Sequence, residues 1–124
     1  RVEVVGNRVH ANATGIHGRG VVLIQDNVAS GGGAGVRADD LTARVINNLV
    51  HSNTTGIGGT AGLVEGNRIF NNQGTGAAVS AGMWRGNYIH NNLIGVWVKT
   101  SGSPAEISNN LVYANAQQGF LIGE

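Results

Sequence analysis

Seven residues are this sequence's candidates for chemistry: His17, Arg19, Arg37, Asp39, Asp40, Trp97 and Lys99. Arg37 carries the planar fork of donors that grips a carboxylate through two parallel bonds. Beside it, Asp39, Asp40 or His17 would supply acid or base chemistry. An exposed indole at Trp97 would stack on a sugar ring, and the Lys99 ammonium suits an acidic saccharide. The plain alternatives are that Arg37 and Asp39 form a solvated surface pair and that another side chain or a neighbouring domain covers Trp97. The choice depends on whether these residues share one face, so the elements that carry them come next.

The chain is built from close copies of one short stretch. They read GNRVHAN from Gly6, QDNVASG from Gln25, NNLVHSN from Asn47, GNRIFNN from Gly66, GNYIHNN from Gly86 and NNLVYAN from Asn109. Aligned on their second residue the anchors are Asn7, Asp26, Asn48, Asn67, Asn87 and Asn110, a period of about twenty residues. Two residues later stands a β-branched column of Val9, Val28, Val50, Ile69, Ile89 and Val112, and three residues earlier an apolar one of Val4, Leu23, Val45, Val64, Trp84 and Ile107. Eight to nine residues after each anchor comes glycine, followed by Ile16, Val36, Ile57, Ala77, Val96 or Phe120. The alternation predicts three short strands per repeat, separated by Asn or Gly turns, and no segment shows a helical period.

Strands that stack on their equivalents one repeat later make a parallel coil with a strand spacing of ~4.8 Å. The expected fold is therefore an all-β solenoid of about six coils, with three strands per coil and apolar columns inside. A leucine-rich repeat would need a leucine-dominated pattern, and a hexapeptide coil would need multiples of six. The anchor asparagines are expected to turn a left-handed corner and to bond amide to amide from coil to coil, with Asp26 breaking the series. A second column of Asn12, Gly31, Asn53, Asn72, Asn92 and Asn115 closes the next strand. The sequences Asn12-Ala13-Thr14 and Asn53-Thr54-Thr55 fit the glycosylation acceptor pattern, which predicts exposed turns. His10, His51 and His90 form an outward column with Ala29 and Phe70 between them, too widely spaced for one metal ion, so surface polar residues and no metal site are expected.

VEGNRIFNN from Val64 and WRGNYIHNNLIGVWV from Trp84 resemble the right-handed parallel β-helix superfamily, and the resemblance covers residues 2 to 122. That superfamily includes pectate and other polysaccharide lyases, polygalacturonases, alginate epimerases, phage tailspikes and many surface proteins. The resemblance implies a substrate groove along the sheet that follows the glycine column. Alternation there sends His17, Arg37, Gly58, Ala78, Trp97 and Leu121 outward, then Arg19, Asp39, Thr60, Ser80, Lys99 and Gly123. The Asn-Thr-Asp, Gly-His-Gly and Arg-Ile-Lys motifs of polygalacturonases are absent, so no complete catalytic set is present.

Composition sets outer limits. A chain of 124 residues is one domain or part of one. Twenty-one glycines, 15 asparagines and only seven leucines disfavour helices. Net charge of +1 with 12% charged residues gives no footprint for nucleic acid. No cysteine means no disulfide framework, and no apolar run reaches the roughly 20 residues that cross a bilayer. No cofactor is implied. Neither end carries an obvious cap, which fits a segment of a longer β-helix with flanking coils, or end-to-end self-association. The functional expectation is an extracellular, cell-surface or periplasmic scaffold that binds acidic polysaccharide or glycan through His17, Arg19, Arg37, Trp97 and Lys99. A polysaccharide lyase, hydrolase or epimerase segment is the alternative, and a purely structural repeat is a third.

Overall fold

The computed structural model describes residues 1–124 and contains strands and turns but no helix. Three parallel sheets of six strands each run the length of the chain, with coils stacked in sequence order. The first sheet is Val2–Val5, Val22–Gln25, Arg44–Ile46, Leu63–Glu65, Gly82–Arg85 and Ala105–Ser108. The second is Arg8–His10, Val28–Ser30, Leu49–His51, Arg68–Phe70, Tyr88–His90 and Leu111–Tyr113. The third is Thr14–Gly18, Ala34–Ala38, Thr55–Gly59, Thr75–Val79, Ile94–Val98 and Gln118–Ile122. This is the six-coil, three-strand solenoid that the twenty-residue period predicts.

Each sheet contributes one inward column, because alternate side chains in a strand point to opposite faces. The columns are Val4-Ile24-Val45-Val64-Trp84-Ile107, Val9-Ala29-Val50-Ile69-Ile89-Val112 and Ile16-Val36-Ile57-Ala77-Val96-Phe120. Their middle members are sealed from solvent. Burying a side chain of this size stabilises by about 1.5–3 kcal/mol, so the stacked columns supply most of the driving force. Trp84 fits inside because its indole N–H donates to the Ala81 carbonyl at 3.1 Å. Phe120 occupies the inward column yet is 47% exposed, since no coil of residues 1–124 lies over it.

Two corners of each coil are fixed by asparagine. Along the first corner, Asn7, Asn27, Asn48, Asn67, Asn87 and Asn110 form a ladder. Each side-chain oxygen accepts from the backbone N–H and the Nδ2 of the asparagine one coil earlier; Asn67 Oδ1, for example, receives Asn48 N at 2.8 Å and Nδ2 at 3.0 Å. From Asn27 onward each Nδ2 also donates to a core-strand carbonyl of the preceding coil, as Asn67 does to Val45 at 2.9 Å. No buried side-chain polar atom lacks a partner. The second corner repeats the device through Asn53, Asn72, Asn92 and Asn115.

The ladder corrects the expected register in coil two. Its member there is Asn27, not Asp26, and the inward residues are Ala29 and Ile24 in place of Val28 and Leu23. The reason is chemical: a ladder residue must donate and accept at once, and an ionised carboxylate only accepts. The column of the second corner shifts likewise, from Gly31 to Gly32, whose N–H donates to Asn53 Oδ1. The left-handed conformation also sits one residue earlier than expected. Gly6, Asp26, Asn47, Gly66, Gly86 and Asn109 have φ of 54–72°, and each precedes the ladder asparagine. Asp26 is thus a left-handed corner residue, a position that Asp tolerates. Of the two glycosylation-pattern asparagines, Asn12 is exposed, whereas Asn53 is 2% exposed within its ladder and cannot be an exposed turn.

Candidate functional site

The third corner, after the third sheet, has no ladder, and it is where the coils differ. Asp39 to Ala43 and Lys99 to Pro104 lie there, beside the outward face of the third sheet. The glycine column starts each of these strands close against its neighbours. A Cβ at Gly56 would collide with the Gly76 carbonyl oxygen and with Ile69 Cγ2. That tight seat fixes the alternation of the residues that follow. His17, Arg37, Gly58, Ala78, Trp97 and Leu121 are then in register on the outside. Asp39, Thr60 and Lys99 continue the next row, their N–H groups donating to Gly18, Ala38 and Val79 one coil earlier.

His17, Arg37 and Asp39 meet. Asp39 Oδ2 accepts from Arg37 Nε at 2.7 Å and lies 2.8 Å from His17 Nε2. Arg37's bond, with His17's as a weaker second, holds the Asp39 carboxyl below the usual carboxylate range despite partial burial. Asp39 therefore stays ionised and acts as a clamp, fixing the guanidinium and leaving its two terminal nitrogens free for a ligand. Asp40 does not join the cluster. Its carboxylate accepts from the Thr42 hydroxyl and from the Thr42 backbone N–H at 2.8 Å, which lower its pKa in that order and make it a turn cap. Arg19 is exposed and forms no hydrogen bond or ion pair.

At the other end of the face, Trp97 donates its indole N–H to the Gly123 carbonyl at 2.9 Å, which pins the ring. The Lys99 ammonium sits over that ring, 5.2 Å from its centroid. The attraction of a cation for an aromatic face holds Lys99 in place. Between the two cationic ends lies a groove of about 250 Å³, lined by Arg37, Asp39, Thr60, Ser80 and Lys99 and floored by Gly58, Gly59 and Ala78. Trp97 is not part of the lining; it stands behind Lys99. The groove thus carries three bare floor residues, two hydroxyls, the Arg37 and Lys99 cations and the Asp39 carboxylate.

The right-handed beta helix region family matches residues 1–124. The chain belongs to that family. No curated protein and no solved structure matches it. Membership gives this β-helix its handedness and its architecture, while its chemistry has to be read from the groove itself.

One outward feature of the β-helix is absent from the sequence reading. The histidine column of the second sheet runs His10, Ser30, His51, Phe70, His90 and Tyr113, so Ser30 and not Ala29 stands in coil two. Its last four rings stack face to face, with centroids 4.9, 5.2 and 4.8 Å apart and planes within 17°. His90 is only 6% exposed, bonded to Arg68 Nε and Asn91, so it is a packed ring and not a surface polar residue. The signal was present, since four planar side chains recur at one register position. Treating Phe70 as an interruption hid it.

Proposed function

We propose that this β-helix is a scaffold that binds an acidic carbohydrate along the outward face of its third sheet, at a cell surface or outside the cytoplasm. The observation that carries the reading is the groove between Arg37 and Lys99. The free guanidinium nitrogens of Arg37 suit a carboxylate, the Lys99 ammonium offers a second positive charge, and Thr60 and Ser80 supply hydroxyls for sugar hydroxyls. His17 and Trp97 act behind these groups, His17 by bonding Asp39 and Trp97 by holding Lys99. A screen of immobilised polysaccharides tests it: retention on uronic-acid polymers and not on neutral ones is expected, with loss in Arg37→Ala. Equal retention on neutral polymers, or none on any, would overturn it.

A catalytic reading has one observation in its favour, the contact between His17 and Asp39. A carboxylate that fixes one ring nitrogen leaves the other free to take a proton. Asp39 itself is held ionised and is a poor proton donor. Appearance of unsaturated or reducing ends when the protein is incubated with alginate or pectin, absent in His17→Ala, would establish that second reading.

A further inference from the structure

The outward face of the first sheet carries its side chains in two rows, one on each side of the inward column. Over coils three to six the first row reads Arg44, Leu63, Met83, Glu106: cation, apolar, apolar, anion. The second reads Ile46, Glu65, Arg85, Ser108: apolar, anion, cation, polar. Both rows place opposite charges at equal distances from one point, midway between coils four and five. Reversing the order of the coils about that point sets Arg44 against Glu106, Leu63 against Met83 and Glu65 against Arg85. The charges are available for such a match. Arg44 and Glu106 are exposed and form no ion pair. Arg85 reaches Glu65 at 3.3 Å, yet their side chains remain 45% and 40% exposed.

We infer that this face docks a second copy of the chain, in a two-fold dimer whose solenoids run antiparallel. A half-turn about an axis that lies in the interface along the strands keeps each row opposite itself and reverses the coils. That is the operation both rows satisfy. With the two sheets about 10 Å apart, Leu63 meets the partner's Met83 at the centre, and Arg44 meets the partner's Glu106 at both rims. Glu65 and Arg85 join the partner's Arg85 and Glu65 in a cluster of four alternating charges. Neighbouring registers lose this match. Moving the point by half a coil sets Glu65 on the partner's Glu65 in one direction and Arg85 on the partner's Arg85 in the other, and like charges in contact are strongly disfavoured. Moving it a full coil towards coil one sets Glu3 on the partner's Glu106 and Arg44 on the partner's Leu63. Eight residues a side, against roughly 20–30 in a standard interface, make this a weak contact that charge selects. It uses none of the groove residues of the third sheet, so it stands or falls apart from the carbohydrate reading.

Sedimentation velocity tests the dimer, using the wild type, Arg44→Glu and Glu106→Arg. Between about 10 µM and about 1 mM the wild type should shift from monomer to dimer and no further. Arg44→Glu or Glu106→Arg alone sets like charges against each other at both rims and should weaken association about tenfold or more, at an unchanged melting temperature. An equimolar mixture of the two variants should recover wild-type association, because each supplies the charge that the other lacks. One chain carrying both exchanges should recover it as well, which separates lost pairing from lost folding. A wild type that stays monomeric at every concentration would overturn the proposal and leave the face to a different partner. Single variants that dimerise as well as the wild type, a mixture that stays monomeric, or growth beyond a dimer would overturn the charge-matched two-fold contact.

Discussion

The first corner and the outward face of the third sheet are built from the same repeats, yet they differ in what they tolerate. At the corner, every coil places an asparagine amide in one ladder position, and the four inner ones, Asn27, Asn48, Asn67 and Asn87, are buried and bonded above and below. On the face, histidine, arginine, glycine, alanine, tryptophan and leucine share one register column. A ladder is only as good as its worst member, because an amide without a matching neighbour is left buried and unpaired. A side chain on the face has no matching partner demanded of it in every coil. Uniformity therefore marks what holds this molecule together, and disagreement marks the face on which we propose that a ligand binds.

The contrast is most easily broken at the ladder. Asn67→Leu removes the acceptor of the Asn48 N–H and of one Nδ2 hydrogen of Asn48, and the side-chain donor to the Val45 carbonyl. A loss of about 3 kcal/mol is expected in denaturant unfolding. Asn71, exposed with φ of 53°, is the control. Asn71→Leu should cost about 1 kcal/mol from left-handed strain, and Asn71→Gly close to nothing. Equal losses at Asn67 and Asn71 would contradict the ladder.

Coil two sharpens the same comparison. Asn27→Asp puts a carboxylate where Val4 needs a donor and where Asn48 Oδ1 already points. It should cost about 2 kcal/mol. Asp26→Gly, at φ of 57°, should leave stability unchanged or raise it by up to about 1 kcal/mol. The reverse ranking in thermal melts would restore the register that the sequence suggests.

The smallest effect belongs to the face. The Asp39 carboxyl titrates below its ordinary value in the folded protein, so its bridge to Arg37 and His17 contributes stability above the unfolded value. That contribution is lost as pH falls through the lower folded value. Because Arg37 is more than half exposed and water screens the pair, Asp39→Asn should change neutral-pH stability by less than about 1 kcal/mol. The acid limb of the wild-type stability profile should flatten in this variant; an unaltered acid limb would mean that the bridge does not form.

The period of twenty and the apolar columns made the solenoid legible, since both survive any local misreading. The slip in coil two had a local cause. Gln25-Asp26-Asn27 offers two residues that suit a left-handed corner, and only the amides of Asn7 and Asn48, about twenty residues away in each direction, decide between them. The corner conformation was misplaced for a related reason: in pairs such as Asn47-Asn48 one residue turns the chain and the next builds the ladder, and their chemistry is identical. On the face, alternation did find the rows of His17 and Arg37. It could not show that Asp40 caps its own turn through Thr42, that Trp97 supports Lys99, or that the groove's defining feature is two positions where a side chain is missing. An absence becomes visible only when the coils are stacked.

The separation of scaffold from groove is tested most directly by one paired measurement on the Arg37→Ala/Lys99→Ala double variant: its affinity for a uronic-acid polymer and its melting temperature, both against wild type. Binding should fall by about a hundredfold, tenfold for each cation removed, with the melting temperature unchanged. Retained affinity, or a loss of binding that comes only with a lower melting temperature, would contradict the account.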